Sequence, residues 1–228
     1  HWYAWRAATV SHYQANSELR GFLAIAAAFI VIVTLYLLVA GEINGYSQSF
    51  RAAMFQVVSH ITTTGYASTG FSHWPGMLPI LMIMLAFIGG CSGSTSGGIK
   101  VARVQLVIQQ GLRELKQLVH PKAQFLVTMG GRRVSESVVI SVAGFCALYI
   151  TVYLILVLLL SADGMDLLTA FSAAAACLNN LGPGLGQVAL HYQALSDFST
   201  WLMSFAMLVG RLEIFTILVL FTPAFWQE

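Results

Sequence analysis

The sequence predicts an all-α membrane protein built from two parallel helix–pore loop–helix repeats, and three observations predict it. First, the 228 residues are 57% hydrophobic and only 9% charged, where a soluble domain carries about 25% charged residues. A chain this apolar cannot cover itself with polar surface, so lipid is its natural solvent. Second, residues 21–40 and 138–160 contain no charged side chain. Each stretch reaches the ~20 residues that a helix needs to cross a hydrocarbon core of about 30 Å. Third, each is followed by a half-length apolar segment that ends in a Gly-containing turn. Gly21 and Val138, Ala53 and Ala170, and Gly65 and Gly182 are all separated by 117 positions. Other identity between the halves is slight, so the repeat is one of architecture, and both units run in the same sense.

The elements follow in order. Residues 1–20 mix Trp2, Tyr3 and Trp5 with Arg6, Glu18 and Arg20, the composition of an interfacial segment with aromatics at headgroup level. The first unit is expected over 21–118. It opens with the span 21–40 and continues with a segment at 47–61 that is too short and too polar to cross, carrying Arg51, Gln56 and His60. That segment runs into Thr62-Thr63-Thr64-Gly65-Tyr66. After Pro75-Gly76, an apolar run at 77–88 stops at Gly89-Gly90 and enters Cys91-Ser92-Gly93-Ser94-Thr95-Ser96-Gly97-Gly98. A basic amphipathic stretch follows at 100–118, and 119–137 is expected as a linker. The second unit, 138–228, has the span 138–160 and a short Ala-rich half-helix at 166–178. It then has the turn Asn179-Asn180-Leu181-Gly182-Pro183 and a last apolar segment at 198–221 that contains Arg211 and Glu213.

Charge gives the orientation. Lys100, Arg103, Arg113, Lys116, Lys122, Arg132 and Arg133 are seven of the eleven basic residues, and the positive-inside rule puts 100–137 in the cytoplasm. The half-helices then enter from outside, and both termini are expected on the cytoplasmic side. The chain begins at His1 with no visible signal peptide, and further residues are expected before it. A net charge of +2 is too small to suggest nucleic-acid binding. Cys91, Cys146 and Cys177 have no CxxC spacing and read as small residues between helices rather than as a metal or disulfide set.

The turns point to ion conduction. Non-helical backbone at membrane depth survives only when buried or lining a water-filled cavity. A half-helix followed by Thr-Thr-Thr-Gly-Tyr lets the glycine adopt φ > 0, and the neighbouring carbonyls can then replace the hydration shell of a monovalent cation. The half-helix also ends with its negative dipole toward that point. One such turn is an ordinary loop; two at matched offset are not. The stretch Gly93-x4-Gly98-Ile99-Lys100 misses the Gly-Lys-Ser/Thr of a phosphate loop and follows no strand, so phosphate binding is excluded. A Gly/Ser break within a span reads either as a movable gate or as a simple hinge. Arginine at membrane depth needs a partner or water. Glu213, two positions on, lies on another helix face, which leaves Arg211 to meet the loop carbonyls or to repel cations on the axis. His60, His73, His120 and His191 are scattered, and no HExxH or Ser/His/Asp set argues for an enzyme.

These strings resemble bacterial TrkH/KtrB-type potassium-uptake membrane proteins. The run Gly89-Gly90-Cys91-Ser92-Gly93-Ser94-Thr95-Ser96-Gly97-Gly98-Ile99-Lys100 is similar to that family's intramembrane loop. The turns at Thr62–Tyr66 and Asn179–Gly186 resemble its third and fourth filter segments. Gly210-Arg211-Leu212-Glu213-Ile214-Phe215 and Phe221-Thr222-Pro223-Ala224-Phe225-Trp226 resemble its last helix and its end. The resemblance covers nearly the whole chain, as the C-terminal half of such a subunit, and implies a potassium-channel-like pore architecture with K+ as the transported ion and no cofactor. It implies K+ filter turns at Thr63, Thr64 and Gly65 and at Asn180, Leu181 and Gly182. The loop from Gly89 to Gly98 would be a gate reached by Arg211. It implies a homodimer in the bacterial inner membrane and a cytosolic nucleotide-sensing regulatory ring on the 100–137 face. The family carries four units in one chain and this sequence contains two, so missing N-terminal pore units or a second copy would complete the ring. A non-conducting membrane scaffold or docking module is the competing expectation.

Overall fold

The computed structural model describes residues 16–43, 45–123, 125–212, 214, 219 and 226. Helix α1 runs Ser17–Ala40, four residues earlier than the apolar run alone indicates. The cause is a cap: the Asn16 side chain accepts from the amides of Glu18 (3.0 Å) and Leu19 (3.2 Å), and Glu18 complements the dipole in the first turn. The boundary expected at residue 20 therefore falls inside a helix, and residues 1–15 of the interfacial segment expected at 1–20 lie outside the described residues. Helix α1 stops at Gly41, whose amide bonds back to the Leu38 carbonyl at 3.3 Å.

The half-helix α2 spans Tyr46–Ile61 and α3 spans Leu78–Ile88, with Pro79 in its first turn. The amphipathic α4 covers Val101–Val119. The linker expected at 119–137 holds a small antiparallel hairpin, β1 (Thr128–Met129) with β2 (Arg132–Arg133). Gly130 and Gly131 turn it with φ of 57° and 76°, the positive pair that a two-residue hairpin requires. Helix α5 is Glu136–Ala162, α6 is Leu167–Leu178 and α7 is Asp197–Arg211. Asp166 caps α6 through the Thr169 amide (3.1 Å), and Ser196 caps α7 through the Ser199 amide (3.0 Å). The last span expected to reach residue 221 is seen as helix as far as Arg211; beyond it, Glu213 and the chain end lie outside the described residues, residues 214, 219 and 226 apart.

Among the described residues two helices, α1 and α5, are long and apolar enough to cross a membrane. Helix α1 packs on α2 and α2 on α3. Helix α3 leans on α6, which also meets α5 and α7, while α4 bridges α1 and α5. The core is centred on α6, where Ala170, Ala173, Ala174, Ala175, Ala176 and Leu178 are wholly buried. Small side chains let backbones approach closely where no water drives association. Outward, Val39, Ile140, Ile150, Leu154 and Leu158 are exposed, an apolar coat suited to lipid.

Candidate functional site

Two turns and one loop meet at the ends of α2 and α6. The turns share a backbone to within a few degrees over their first two residues. Thr62 has φ −85°, ψ −1° and Asn179 has φ −85°, ψ −2°. Thr63 and Asn180 then take φ of 52° and 53°, and Gly65 and Gly182 take 78° and 104°. The hydrogen bonds repeat as well. Thr62 N–H donates to Val58 O at 3.0 Å, Thr63 N–H to His60 O at 3.0 Å and Thr64 N–H to Ser59 O at 2.8 Å. Asn179, Asn180 and Leu181 donate to Ala175, Cys177 and Ala176 at 3.0, 3.0 and 2.8 Å. Every partner lies at the offset seen in the sequence. A left-handed φ is costly for a β-branched residue such as Thr63, so the surrounding contacts must hold it there.

Those contacts differ between the two turns. Behind the first, Ser59 Oγ donates to Tyr66 O (2.6 Å), Gln56 Nε2 donates to Thr69 O (2.7 Å), and the Thr62 and Thr64 hydroxyls bond each other at 2.8 Å. His60 is buried, with Nδ1 2.8 Å from Gln56 O and its ring 4.5 Å edge-on from Phe71; it packs behind the turn. Behind the second turn, Tyr149 donates its hydroxyl to Asn179 Oδ1 (2.7 Å), Asn179 Nδ2 donates to Ala175 O (2.8 Å) and Asn180 Nδ2 to Met207 O (3.2 Å). Tyr192 donates to the Gly182 carbonyl at 2.6 Å. Sequence reasoning missed Tyr149 and Tyr192, because their contacts arise only when distant segments fold together. The two turns touch each other: a Cβ on Gly65 would sit 1.9 Å from the Leu181 carbonyl oxygen, so no other residue fits there without movement.

The 89–98 loop lies against both turns. Gly97 N–H donates to Thr63 Oγ1 at 2.8 Å in a buried bond, and a Cβ on Gly97 would come within 1.9 Å of the Asn179 carbonyl oxygen. The loop is internally tied: Ser94 N–H donates to Cys91 O (3.0 Å), Gly90 N–H to Ser96 Oγ (2.9 Å), and the Ser94 and Ser96 hydroxyls meet at 2.7 Å. The Ser92 amide donates to the Glu18 carboxylate of α1. Of the two roles open to Arg211, the structure displays the loop contact: Arg211 NH1 donates to Thr95 O at 2.5 Å. Lys100, read from sequence as part of the basic face and as the last residue of the loop-like string, also reaches the loop at Ser94 and Ser96. A cavity of about 270 Å³ opens between the loop, Arg211 and Tyr149.

On the opposite end of the fold the carboxyl of Asp163 is held below the usual carboxylate range, because Ser196 and then Ser199 donate hydrogen bonds to it. Asp166 is held low in the same way by Thr169. Among the described residues no group of three or more His, Cys, Asp or Glu could hold a metal ion.

An all-α membrane fold with parallel re-entrant units defines the class. The chain belongs to the TrkH family of cation transport proteins, whose description matches residues 11–228. It is 47% identical over 217 residues to the Trk system potassium uptake protein TrkH of Vibrio parahaemolyticus, covering 95% of this chain and 45% of that protein. It is 42% identical over 228 residues to the TrkH of Halomonas elongata, covering 100% of this chain and 47% of that one. The crystal structure of the potassium transporter TrkH from Vibrio parahaemolyticus matches with a TM-score of 0.90 at 47% identity, over 96% of this chain and 47% of that one. The chain thus spans about half the length of the relatives it matches.

Proposed function

We propose that the chain forms part of a potassium pathway in the bacterial inner membrane, as the pore-forming subunit of a Trk-type uptake system. The observation that carries this reading is the pair of turns with common dihedrals and hydrogen bonds at one offset, in direct contact. Carbonyls of Thr63, Thr64, Gly65, Asn180, Leu181 and Gly182 replace water around K+, and the C-terminal ends of α2 and α6 add a negative potential there. The Gly182 carbonyl already accepts from Tyr192, and its second lone pair remains for an ion. Residues 89–98 act as the gate, with Arg211 as its latch. The units are 21–118 and 138–228, joined by a cytoplasmic linker at 119–137, with both termini cytoplasmic. Further pore units or a second copy close the ring, the full subunit works as a homodimer, and a cytosolic nucleotide-sensing ring docks on the basic 100–137 face. The chain transports K+ and performs no catalysis. The names of the relatives support this reading.

The test is potassium uptake by a transport-deficient bacterium expressing the full-length protein with Gly65→Ser or Gly182→Ser. The serine at 65 meets the Leu181 carbonyl, and the serine at 182 meets open space but an unfavourable φ. The expected result is normal expression with uptake lost or Na+ admitted. Unchanged uptake and selectivity in both variants would leave the turns as structural loops and the chain as a membrane scaffold.

A further inference from the structure

Lys100 stands just before α4 with φ of 80°, a backbone conformation that a side-chain-bearing residue rarely takes. From there its side chain folds back over the loop. The ammonium donates to Ser94 O at 2.9 Å, to Ser96 Oγ at 3.2 Å and to Ser94 Oγ at 3.5 Å, and it also contacts Ser96 O. An ammonium has three protons and within the loop meets four oxygens of Ser94 and Ser96, so the bonds are shared. The loop thus offers a compact monovalent cation two carbonyls and two hydroxyls, all uncharged. That is the ligand chemistry by which oxygens replace the hydration shell of an alkali ion. The cage is assembled by the loop itself, through the Ser94–Ser96 hydroxyl pair at 2.7 Å and the Gly90 amide on Ser96 Oγ at 2.9 Å. The intervening carbonyl, Thr95 O, goes to Arg211. Three successive loop carbonyls are thus assigned to side-chain cations.

The geometry points to a second monovalent-cation site in this chain, formed by Ser94 and Ser96 and occupied in this conformation by the Lys100 ammonium in place of a permeant ion. Lys100 is a positioning residue: a tethered cation fills the cage and holds the loop against the turns, and a free alkali ion competes with it for the same oxygens. A lysine suits this role because its charge is compact, where the planar fork of arginine would not enter a cage of this kind. The inference rests on the pore reading.

The test uses the full-length protein. Lys100→Met keeps the length of the side chain and removes its charge. Crystals soaked in Tl+ are expected to show an anomalous peak within coordinating reach of the Ser94 and Ser96 oxygens in Lys100→Met and none there in wild type. In liposomes, the resting Rb+ leak of the variant is expected at about ten times the wild-type value, the worth of one charge-assisted hydrogen bond. A loop in place with no Tl+ peak in the variant, or a leak equal to wild type, overturns the inference. Should Lys100→Met not fold, Lys100→Gln, which keeps a neutral donor, is read by the same two outcomes. Failure of the pore reading is separate: the wild type would then carry no Rb+ flux, whereas failure of this inference leaves that flux and the losses at Gly65 and Gly182 intact.

Discussion

Thr63 meets two demands at one position: a left-handed backbone with φ of 52° and an acceptor for the buried Gly97 amide. A valine in its place keeps the shape and removes the oxygen. The Gly97 N–H would then be buried without a partner, at a cost of about 1–3 kcal/mol. Thr63→Val is expected to lower the thermal unfolding temperature of the purified protein, and Thr63→Ser, which keeps the hydroxyl, to leave it close to wild type. Equal behaviour of the two variants would show that the bond does not matter. The Thr-Thr-Thr-Gly-Tyr string marks this turn in the sequence, yet the left-handed residue is not the glycine alone. Pattern reading looks to glycine for positive φ, and at Thr63, Asn180 and Lys100 the tertiary contacts impose it instead. Lys100 shows the same limit from another side. Its charge is legible as cytoplasmic orientation, but its reach to Ser94 and Ser96 depends on the direction in which α4 leaves the loop.

At the scale of elements, the helices most legible in the sequence are those set by composition alone. Helices α1 and α5 follow from charge-free runs, and the true start of α1 follows from the Asn16 cap. The hairpin at 128–133 escaped because its strands are two residues long and only Gly130-Gly131 announces it. The start of α7 is tied to the end of α5 through one carboxylate: Asp163 Oδ2 accepts from Ser196 Oγ and, at 2.6 Å, from Ser199 Oγ. These bonds lower its pKa in the folded state. The stability it contributes is therefore present above the ordinary carboxylate range and is lost as pH falls through the lowered value. Thermal unfolding of wild type and Asp163→Asn measured from neutral to acid pH is expected to show the largest difference at neutral pH and convergence in acid. A constant difference across the range would assign the effect to packing rather than to charge.

For the whole molecule, the offset of 117 positions is legible in the sequence itself and locates both turns. What the sequence does not reveal is that the turns touch and that one loop lies on both, since those contacts join segments far apart in the chain. The proposed orientation makes a sidedness prediction: with 100–137 in the cytoplasm, the exposed Leu190 is expected outside and the exposed Lys116 inside. In a background with Cys91 and Cys146 replaced by serine, a membrane-impermeant maleimide is expected to label Leu190→Cys in intact cells, and Lys116→Cys only after permeabilisation. The reverse pattern would invert the topology. The loop bears on Thr63 of one unit through Gly97 N–H and on Asn179 of the other through the bare Gly97 Cα. As the proposed gate, a single loop that rests on both turns must leave both at once. Closed intervals would then decay with one time constant, with no sublevel in which one turn is clear and the other covered.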